Sequence, residues 1–298
     1  MPDPAMPAAV ASAPSPEAVV EYRGVLPLRA TTVEYVAGLL RSRQAELGTR
    51  AGRRALVVWD HAVLACRWLI DGTRVAQLAR DNRIGLSTTY RYLDEVIGVL
   101  AATMPSLGNV LLAVKIAGNT RVNLDGTLIA TDRLRVAGPT KGVDRWWSGK
   151  HKKHGGNVQV LTVGDGWPVW VSPVRPGREH DTTCARTHPG LLDALDRWAR
   201  NEHGEPTTGR KALADLGYLG EADRLTVPYP RPKTGELTED AKCFNLLHSA
   251  IRAVAERGNA ILKSTFKVLD KIHMSPSKIT VIIAAALMLL HVEHDRSV

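Results

Sequence analysis

Cysteines are few in this sequence, and none has a spacing typical of a metal site. The 298 residues include three, Cys66, Cys184 and Cys243. They lie far apart without a Cys-x-x-Cys spacing, so neither a zinc site nor a disulfide framework is readable. This usage fits a reducing compartment, and we expect a cytoplasmic protein.

The sequence also lacks a long apolar run and a recognisable secretion signal. Its longest apolar run, residues 279–290, has about a dozen residues, whereas a membrane-spanning helix needs about 20. We therefore expect a core helix there and no membrane partner. The first sixteen residues, MPDPAMPAAVASAPSP, contain neither a basic start nor a continuous apolar segment. They predict a disordered Ala/Pro-rich tail over residues 1–30.

Apolar residues and positive charge are both plentiful. An apolar content of 44% over 298 residues is enough for one large domain or two unequal ones. The formal net charge of +9 favours an anionic partner such as nucleic acid, although charge also serves solubility.

The chain changes texture near residue 110. Apolar residues at spacings of three and four predict an all-helical domain over residues 31–107. Short β-branched segments and later helices predict a mixed α/β domain over residues 115–298. The expected strands are 121–130, 157–163, 168–174 and 211–214, with helices at 190–201 and after 241.

The segment DGTRVAQLARDNRIGLSTTYRYLDEVIGVL, residues 71–100, indicates two helices joined by a tight turn at Gly85. Thr73 and Ser87 are the expected N-caps, which predicts a helix-turn-helix. The second helix would present four residues to DNA near its start: Thr88, Thr89, Arg91 and Tyr92. The alternative is an ordinary helical hairpin whose polar residues face solvent.

The segment VNLDGTLIATDR, residues 122–133, places an acid inside an apolar strand. Asn123 and Asp125 share one face at period two, opposite Val122 and Leu124. An unpaired buried carboxylate costs several kcal/mol. Asp125 must therefore be exposed in a cleft, hydrogen-bonded or bound to a cation.

A second strand also runs into an acid, in GRKALADLGYLG, residues 209–220. Asp215 could simply start an Asp-x-Gly turn. If this strand is the parallel neighbour of the first, Asp125 and Asp215 lie at the same carboxyl edge. At about 4 Å the two charges would repel by roughly 4 kcal/mol at an effective dielectric of 20. A shared Mg²⁺ or Mn²⁺ would remove that repulsion.

A third acid lies on the helix predicted around residues 244–269. Arg252, Glu256, Asn259 and Lys263 recur on one face at spacings of three and four. The face could be a solvated one with an Arg252–Glu256 ion pair. A nuclease would instead use the acid to hold metal and the cations to hold phosphates.

Two further motifs carry candidate residues. The segment WWSGKHKKHGG, residues 146–156, contains Lys150, Lys152 and Lys153 in a predicted loop or hairpin. These lysines either contact the DNA backbone or belong to a solvated basic turn. In RPGREHD, residues 175–181, His180 and Asp181 could orient a metal ligand, serve as an additional ligand or order a loop.

Together these motifs resemble the DDE-type transposases of bacterial insertion sequences, in the group related to Harbinger endonucleases. The resemblance implies an RNase H-like mixed sheet that follows the helix-turn-helix domain along the chain. It implies three catalytic metal-binding acids, Asp125 at the end of the first strand, Asp215 after the fourth and Glu256 on the following helix. It also implies that three cations near that glutamate contact DNA: Arg252, Arg257 and Lys263. The sequence departs from the family pattern at two places: at Leu216, where lysine is usual, and at residues 258–261.

The resemblance implies a two-metal mechanism using Mg²⁺ or Mn²⁺. The expected partners are double-stranded DNA, as the terminal inverted repeats of an element and as target, and further copies of the chain in a dimer or larger assembly. A nucleoid-associated location in bacteria would follow. Two alternatives stay open: a DNA-binding relative that does not cut, and a metal-dependent nuclease without element specificity.

Overall fold

The computed structural model describes residues 24–298 except 51, 202, 204 and 206–208. Most of the predicted tail, residues 1–23, lies outside the described residues. The Arg29 peptide N–H donates to both carboxylate oxygens of Glu293, at 3.1 and 3.2 Å. The chain is therefore already tied to its C-terminal helix one residue before the first helix begins.

Among the described residues before the sheet, 24–116 except 51, the chain forms five helices. They are α1 (Ala30–Glu46), α2 (Val58–Asp71), α3 (Val75–Asp81), α4 (Leu86–Ala101) and α5 (Leu107–Ile116). Helix α5 carries the helical part past the expected boundary at 107. Its start is capped by Ser106, whose side chain accepts from the Asn109 N–H at 3.3 Å.

Helices α3 and α4 are joined by a four-residue turn, but neither predicted N-cap is in place. The N-caps are Arg74 and Gly85 instead of Thr73 and Ser87. The Gly85 carbonyl accepts both the N–H and the hydroxyl of Thr89, at 3.0 and 3.1 Å. Since the first turn of α4 closes on Gly85, Ser87 already lies inside the helix and cannot cap it.

A six-stranded mixed sheet follows the helices. Its strands are β1 (Arg121–Ala130), β2 (Trp147–Ser148), β3 (Lys153–Val163), β4 (Pro168–Val171), β5 (Arg175–Pro176) and β6 (Lys211–Leu213). The order is β2-β3-β1-β6, and β4 and β5 also pair with β3. β1 is antiparallel to β3 and parallel to β6. The predicted mixed α/β architecture is thereby confirmed.

The remaining helices surround this sheet. They are α6 (Asp181–Thr187), α7 (Leu191–Ala199), α8 (Glu239–Thr265) and α9 (Ile279–Glu293), with a 3₁₀ turn at Leu216–Glu221. Helix α9 packs against both α4 and β4, so the helical part and the sheet share one apolar core.

Helix α9 is the predicted core helix. Residues 276–293 are long and apolar enough to cross a membrane by length and composition, yet 61% of that stretch is buried inside the protein. Burial against α4 and β4 accounts for its apolar composition.

Candidate functional site

Parallel pairing brings Asp125 and Asp215 to the same level of the sheet. Asn123 of β1 is in register with Leu213, the last residue of β6. Asp125 lies two residues further along β1, and Asp215 lies two residues beyond the end of β6. The conditional expectation that these strands are parallel neighbours is confirmed. Asp125 lies in the middle of β1 rather than at its end, because β3 continues to pair with β1 after β6 has stopped.

Asp215 also starts a turn, as its Asp-x-Gly motif predicts. Its Oδ1 accepts from the Gly217 N–H at 2.9 Å, and it is the N-cap of the 3₁₀ turn Leu216–Glu221. The turn and the placement beside Asp125 are therefore compatible. Leu216, where the family pattern has lysine, is 49% exposed next to Asp215.

Asp125 is held by the polar face of helix α8. Asn259 Nδ2 donates to Asp125 Oδ2 at 2.8 Å, and Arg252 Nη2 donates to Oδ1 at 3.4 Å. Lys263 Nζ donates to the Leu128 carbonyl of the same strand at 3.0 Å. The predicted face thus lies against β1, and Arg252 pairs with Asp125 instead of forming the alternative ion pair with Glu256.

Two of the three cations predicted to contact DNA are therefore directed at the sheet. The Arg252 side chain is only 12% exposed, and Lys263 is bound to a strand carbonyl. Arg257 is exposed. As the structure stands, Arg252 neutralises a carboxylate, and it must leave Asp125 before it can hold a phosphate.

The acids converge on one region without closing around a cation. Burial raises the pKa of Asp125 to about 6; Arg252 opposes this rise, while the charges of Asp215, Asp181 and Glu256 add to it. Glu256 itself is exposed. Within the described part of the chain, no three acidic, histidine or cysteine side chains are placed to hold a metal ion together.

The chemistry of the donors nevertheless fits a hard divalent cation. Asp125, Asp215 and Glu256 offer only oxygen, which Mg²⁺ and Mn²⁺ prefer. Asn259 Oδ1 and Arg252 Nε are buried beside Asp125 with no hydrogen-bond partner among the described residues. Unsatisfied buried polar atoms of this kind mark a site that gains from rearrangement.

Asp181 lies directly against the backbone of β1. A Cβ added to Gly126 would come within 2.1 Å of Asp181 Oδ1, so only glycine at this position admits the carboxylate against the backbone of β1. Asn157 Nδ2 donates to Asp181 Oδ1 at 2.6 Å, and Lys150 Nζ donates to Oδ2 at 3.3 Å. His180 is the exposed residue before helix α6.

Sequence reasoning missed three residues behind Asp181. The buried Tyr218 hydroxyl donates to Gln159 Oε1, and Gln159 Nε2 donates to Asn157 Oδ1 at 3.0 Å. Asn157 and Gln159 alternate with Val158 and Val160 on a strand that is buried from Gly155 to its end. Two amides at period two on a buried strand are the signal that could have identified them.

The predicted basic hairpin is formed by β2, β3 and the turn between them. Lys150, Lys152 and Lys153 are exposed, and Lys150 reaches Asp181. The Trp147 ring meets His154 edge-on at 5.0 Å between centroids. The Trp147–His154 contact thus stabilises the hairpin internally, and Lys150 is the hairpin lysine that contacts an acid of this region.

Only part of the predicted recognition surface on α4 faces outward. Thr88 is half-buried and Arg91 is exposed, but Thr89 and Tyr92 are 0% and 5% exposed. The Tyr92 hydroxyl accepts from the Ala55 N–H at 2.9 Å. The prediction that Thr89 and Tyr92 contact DNA is therefore wrong, because a helix that begins at Leu86 turns both into the core. Tyr90, 41% exposed, lies on the outer face instead.

Comparisons with known proteins agree with the family resemblance of the sequence motifs. A family profile described as DDE superfamily endonuclease matches residues 124–291, more than half of the chain. No curated protein matches the sequence. A solved structure, the Mos1 transposase paired-end complex with left transposon end, is 10% identical and covers 86% of this chain and 96% of that one, with a TM-score of 0.20. A likeness of that degree carries no argument about fold or function.

Proposed function

The chain belongs to the DDE superfamily endonucleases, and from that premise we propose that it is a transposase that cuts the ends of a mobile DNA element and joins them to target DNA. One observation carries the proposal: Asp125 and Asp215 each lie two residues beyond the last paired position of the parallel strands β1 and β6, and the helix that bears Glu256 contacts Asp125. The sheet order, with β1 between antiparallel β3 and parallel β6, supports an RNase H-like core.

Asp125, Asp215 and Glu256 are the proposed ligands of two Mg²⁺ or Mn²⁺ ions. Such ions, when bound, activate an attacking oxygen and stabilise the negative charge of the leaving oxygen. Arg252 must first move away from Asp125, and an arriving DNA phosphate offers its guanidinium an alternative anionic partner. Asn259 keeps Asp125 oriented during that exchange.

Both proposed steps are in-line substitutions at phosphorus, a hydrolysis followed by a transesterification. In the first, a water oxygen attacks the phosphorus at the element end and the P–O3′ bond breaks. A proton from the water ends on the leaving oxygen, giving a 3′-hydroxyl and a 5′-phosphate. In the second, that hydroxyl attacks a target phosphodiester, forming one P–O bond as another breaks. No covalent bond to the protein is needed, so the residues of the chain position the DNA and stabilise charge.

DNA contacts are proposed at two surfaces. The outer face of α4 carries Arg91 and Tyr90, and the α3–α4 pair has the connectivity of a helix-turn-helix. The hairpin lysines, Lys150, Lys152 and Lys153, are exposed, and Lys150 contacts Asp181, so this hairpin suits the phosphate backbone at the cut. Holding two element ends together calls for a dimer or larger assembly on DNA.

One observation favours a second candidate, a DNA-binding relative that does not cut. Arg252 and Asn259 occupy Asp125, as they would in a protein that no longer loads metal. In such a protein the helical part would still bind element ends and act as a regulator.

A cleavage assay separates the candidates. End-labelled DNA carrying the inverted repeats that flank the gene is incubated with Mg²⁺ or Mn²⁺ and with wild type, Asp125→Ala, Asp215→Asn or Glu256→Gln. We expect wild type to cut at the repeat ends and each variant to bind without cutting. Bound but uncut DNA with wild type would establish the regulator, and equal cutting of scrambled ends would establish a nuclease without element specificity.

A further inference from the structure

A continuous chain of hydrogen bonds crosses the sheet behind the acids. It starts at the Tyr218 hydroxyl, passes through the amides of Gln159 and Asn157 and ends on Asp181 Oδ1. Tyr218 and Gln159 are 0% exposed, and Asn157 is 8% exposed. Because water has little access to these groups, their orientations are set by one another.

The two ends of this chain lie at the two acid-bearing segments. Tyr218 belongs to the 3₁₀ turn that Asp215 caps, and its N–H donates to the Asp215 carbonyl at 3.0 Å. Asp181 packs on Gly126, the residue after Asp125. A second bond joins the same segments, since the Thr182 hydroxyl donates to the Gly217 carbonyl. The position of the Asp215 turn relative to Asp125 is thus fixed through Asp181.

The chain also has a fixed polarity. A carboxylate only accepts hydrogen bonds, so Asn157 must present its NH₂ to Asp181. The Asn157 oxygen then faces the Gln159 NH₂, and the Gln159 oxygen faces the Tyr218 hydroxyl, which donates to it. Without the hydroxyl, Gln159 Oε1 is buried without its donor, and the two amides that hold Asp181 lose their fixed end.

We propose that Tyr218 is a positioning residue of this site, whose hydroxyl sets the Asp181 carboxylate, and with it the spacing of Asp125 and Asp215, through Gln159 and Asn157. The proposal rests on the proposed function, because it concerns the same carboxylates. It assigns Tyr218 a role beyond filling the core.

The test is Tyr218→Phe, which keeps the ring and removes only the hydroxyl. Mn²⁺ binding to the full-length protein is measured by calorimetry, alongside single-turnover cleavage of repeat-end DNA. We expect Mn²⁺ affinity and cleavage rate each to fall by about threefold to tenfold. This is less than the roughly tenfold to hundredfold loss that is typical when a residue hydrogen-bonded directly to a metal-ligating side chain is changed. Tyr229→Phe is the matched control: Tyr229 is 54% exposed, and we expect no change.

A double-mutant cycle distinguishes positioning from packing. If Tyr218 acts through Asp181, adding Tyr218→Phe to Asp181→Asn should weaken Mn²⁺ binding little further. If the two losses multiply, or if Tyr218→Phe binds and cuts like wild type, the proposal is overturned. Should Tyr218→Phe fail to fold, Asn157→Ser interrupts the same chain next to Asp181 and must give the same threefold to tenfold loss of Mn²⁺ affinity, an order-of-magnitude estimate.

Failure of the proposed function has a different signature. In that case the wild-type protein itself binds no Mn²⁺ and cuts no DNA, whatever the variants do, and the positioning role falls with it. Failure of the positioning role alone leaves wild-type binding and cleavage intact and shows only in the comparison with Tyr218→Phe.

Discussion

Replacing Asp125 by asparagine should stabilise the metal-free protein while abolishing cleavage. Burial raises the pKa of this carboxyl from 3.8 to about 6, and its side chain is 23% exposed. At about 1.4 kcal/mol for each pH unit, holding the charge there costs up to about 3 kcal/mol. Asparagine keeps the shape and a hydrogen-bonding oxygen for Asn259 without the charge.

The sign of this effect depends on pH. Well below pH 3.8 the carboxyl is protonated in both the folded and the unfolded chain, so Asp125 and asparagine should be nearly equivalent. Between pH 3.8 and about 6 the unfolded chain ionises first, so the free energy of unfolding of wild type falls as pH rises. Above pH 6 the loss is complete, and the advantage of Asp125→Asn reaches its maximum.

Urea unfolding without divalent metal, at several pH values from 4 to 8, measures the difference. We expect Asp125→Asn to unfold with about 2 to 3 kcal/mol more free energy than wild type at pH 8, equivalent to a melting temperature about 5 °C higher, and with little difference at pH 4. Asp132→Asn is the control: Asp132 is half-exposed and its pKa is lowered by Lys271 and His273, so it should not stabilise. An Asp125→Asn protein no more stable than wild type at pH 8 would refute the reasoning.

Three further changes test the geometry around the acids. Gly126→Ala would place a Cβ 2.1 Å from Asp181 Oδ1, and we expect single-turnover cleavage at least about tenfold slower. Gly258→Ala would place a Cβ 2.4 Å from Thr162 Cγ2; α8 must then shift from the sheet, lowering the free energy of unfolding in urea by about 1 to 3 kcal/mol. Arg91→Ala should weaken binding to repeat-end DNA and reduce the salt dependence of that binding by about one ion, measured by fluorescence anisotropy.

Each of these variants has a control in the same chain. Gly164→Ala and Gly98→Ala add a Cβ with nothing within 4 Å, so cleavage and stability should stay near wild type. Arg231→Ala removes an exposed arginine away from α4 and should leave the salt dependence unchanged. A Gly126→Ala enzyme with wild-type rate would show that Asp181 need not lie against β1. Equal effects of Arg91→Ala and Arg231→Ala would show that Arg91 contributes only general positive charge and makes no particular DNA contact on α4.

Local periodicity is sufficient to predict the elements that carry the acids. Strand β1 runs over Arg121–Ala130, the predicted range, because alternation and β-branching act within one strand. The polar face of α8 follows in the same way from the 3.6-residue repeat. The parallel pairing of β1 and β6 could be stated only as a condition, since strand order depends on the whole chain.

Contacts between distant segments were not predictable. Arg252 was expected to pair with Glu256 or a phosphate, yet it pairs with Asp125, 127 positions away in sequence. In the sequence alone, Gly126 is an ordinary strand glycine, and its requirement for glycine follows only from its contact with Asp181. Tyr92 has the composition of a DNA contact, but the register of α4 turns it onto His61, 4.1 Å away between ring centroids.

The central claim is that Asp125, Asp215 and Glu256 jointly hold divalent metal when DNA is bound. A crystal structure with repeat-end DNA and Mn²⁺, with the metal located by anomalous scattering, tests it most directly. We predict anomalous peaks within about 2.2 Å of oxygens of Asp125 and Asp215, with Glu256 turned inward and the Arg252 guanidinium moved from Asp125 to a phosphate. A DNA complex with no peak there and Arg252 still on Asp125 would contradict the claim.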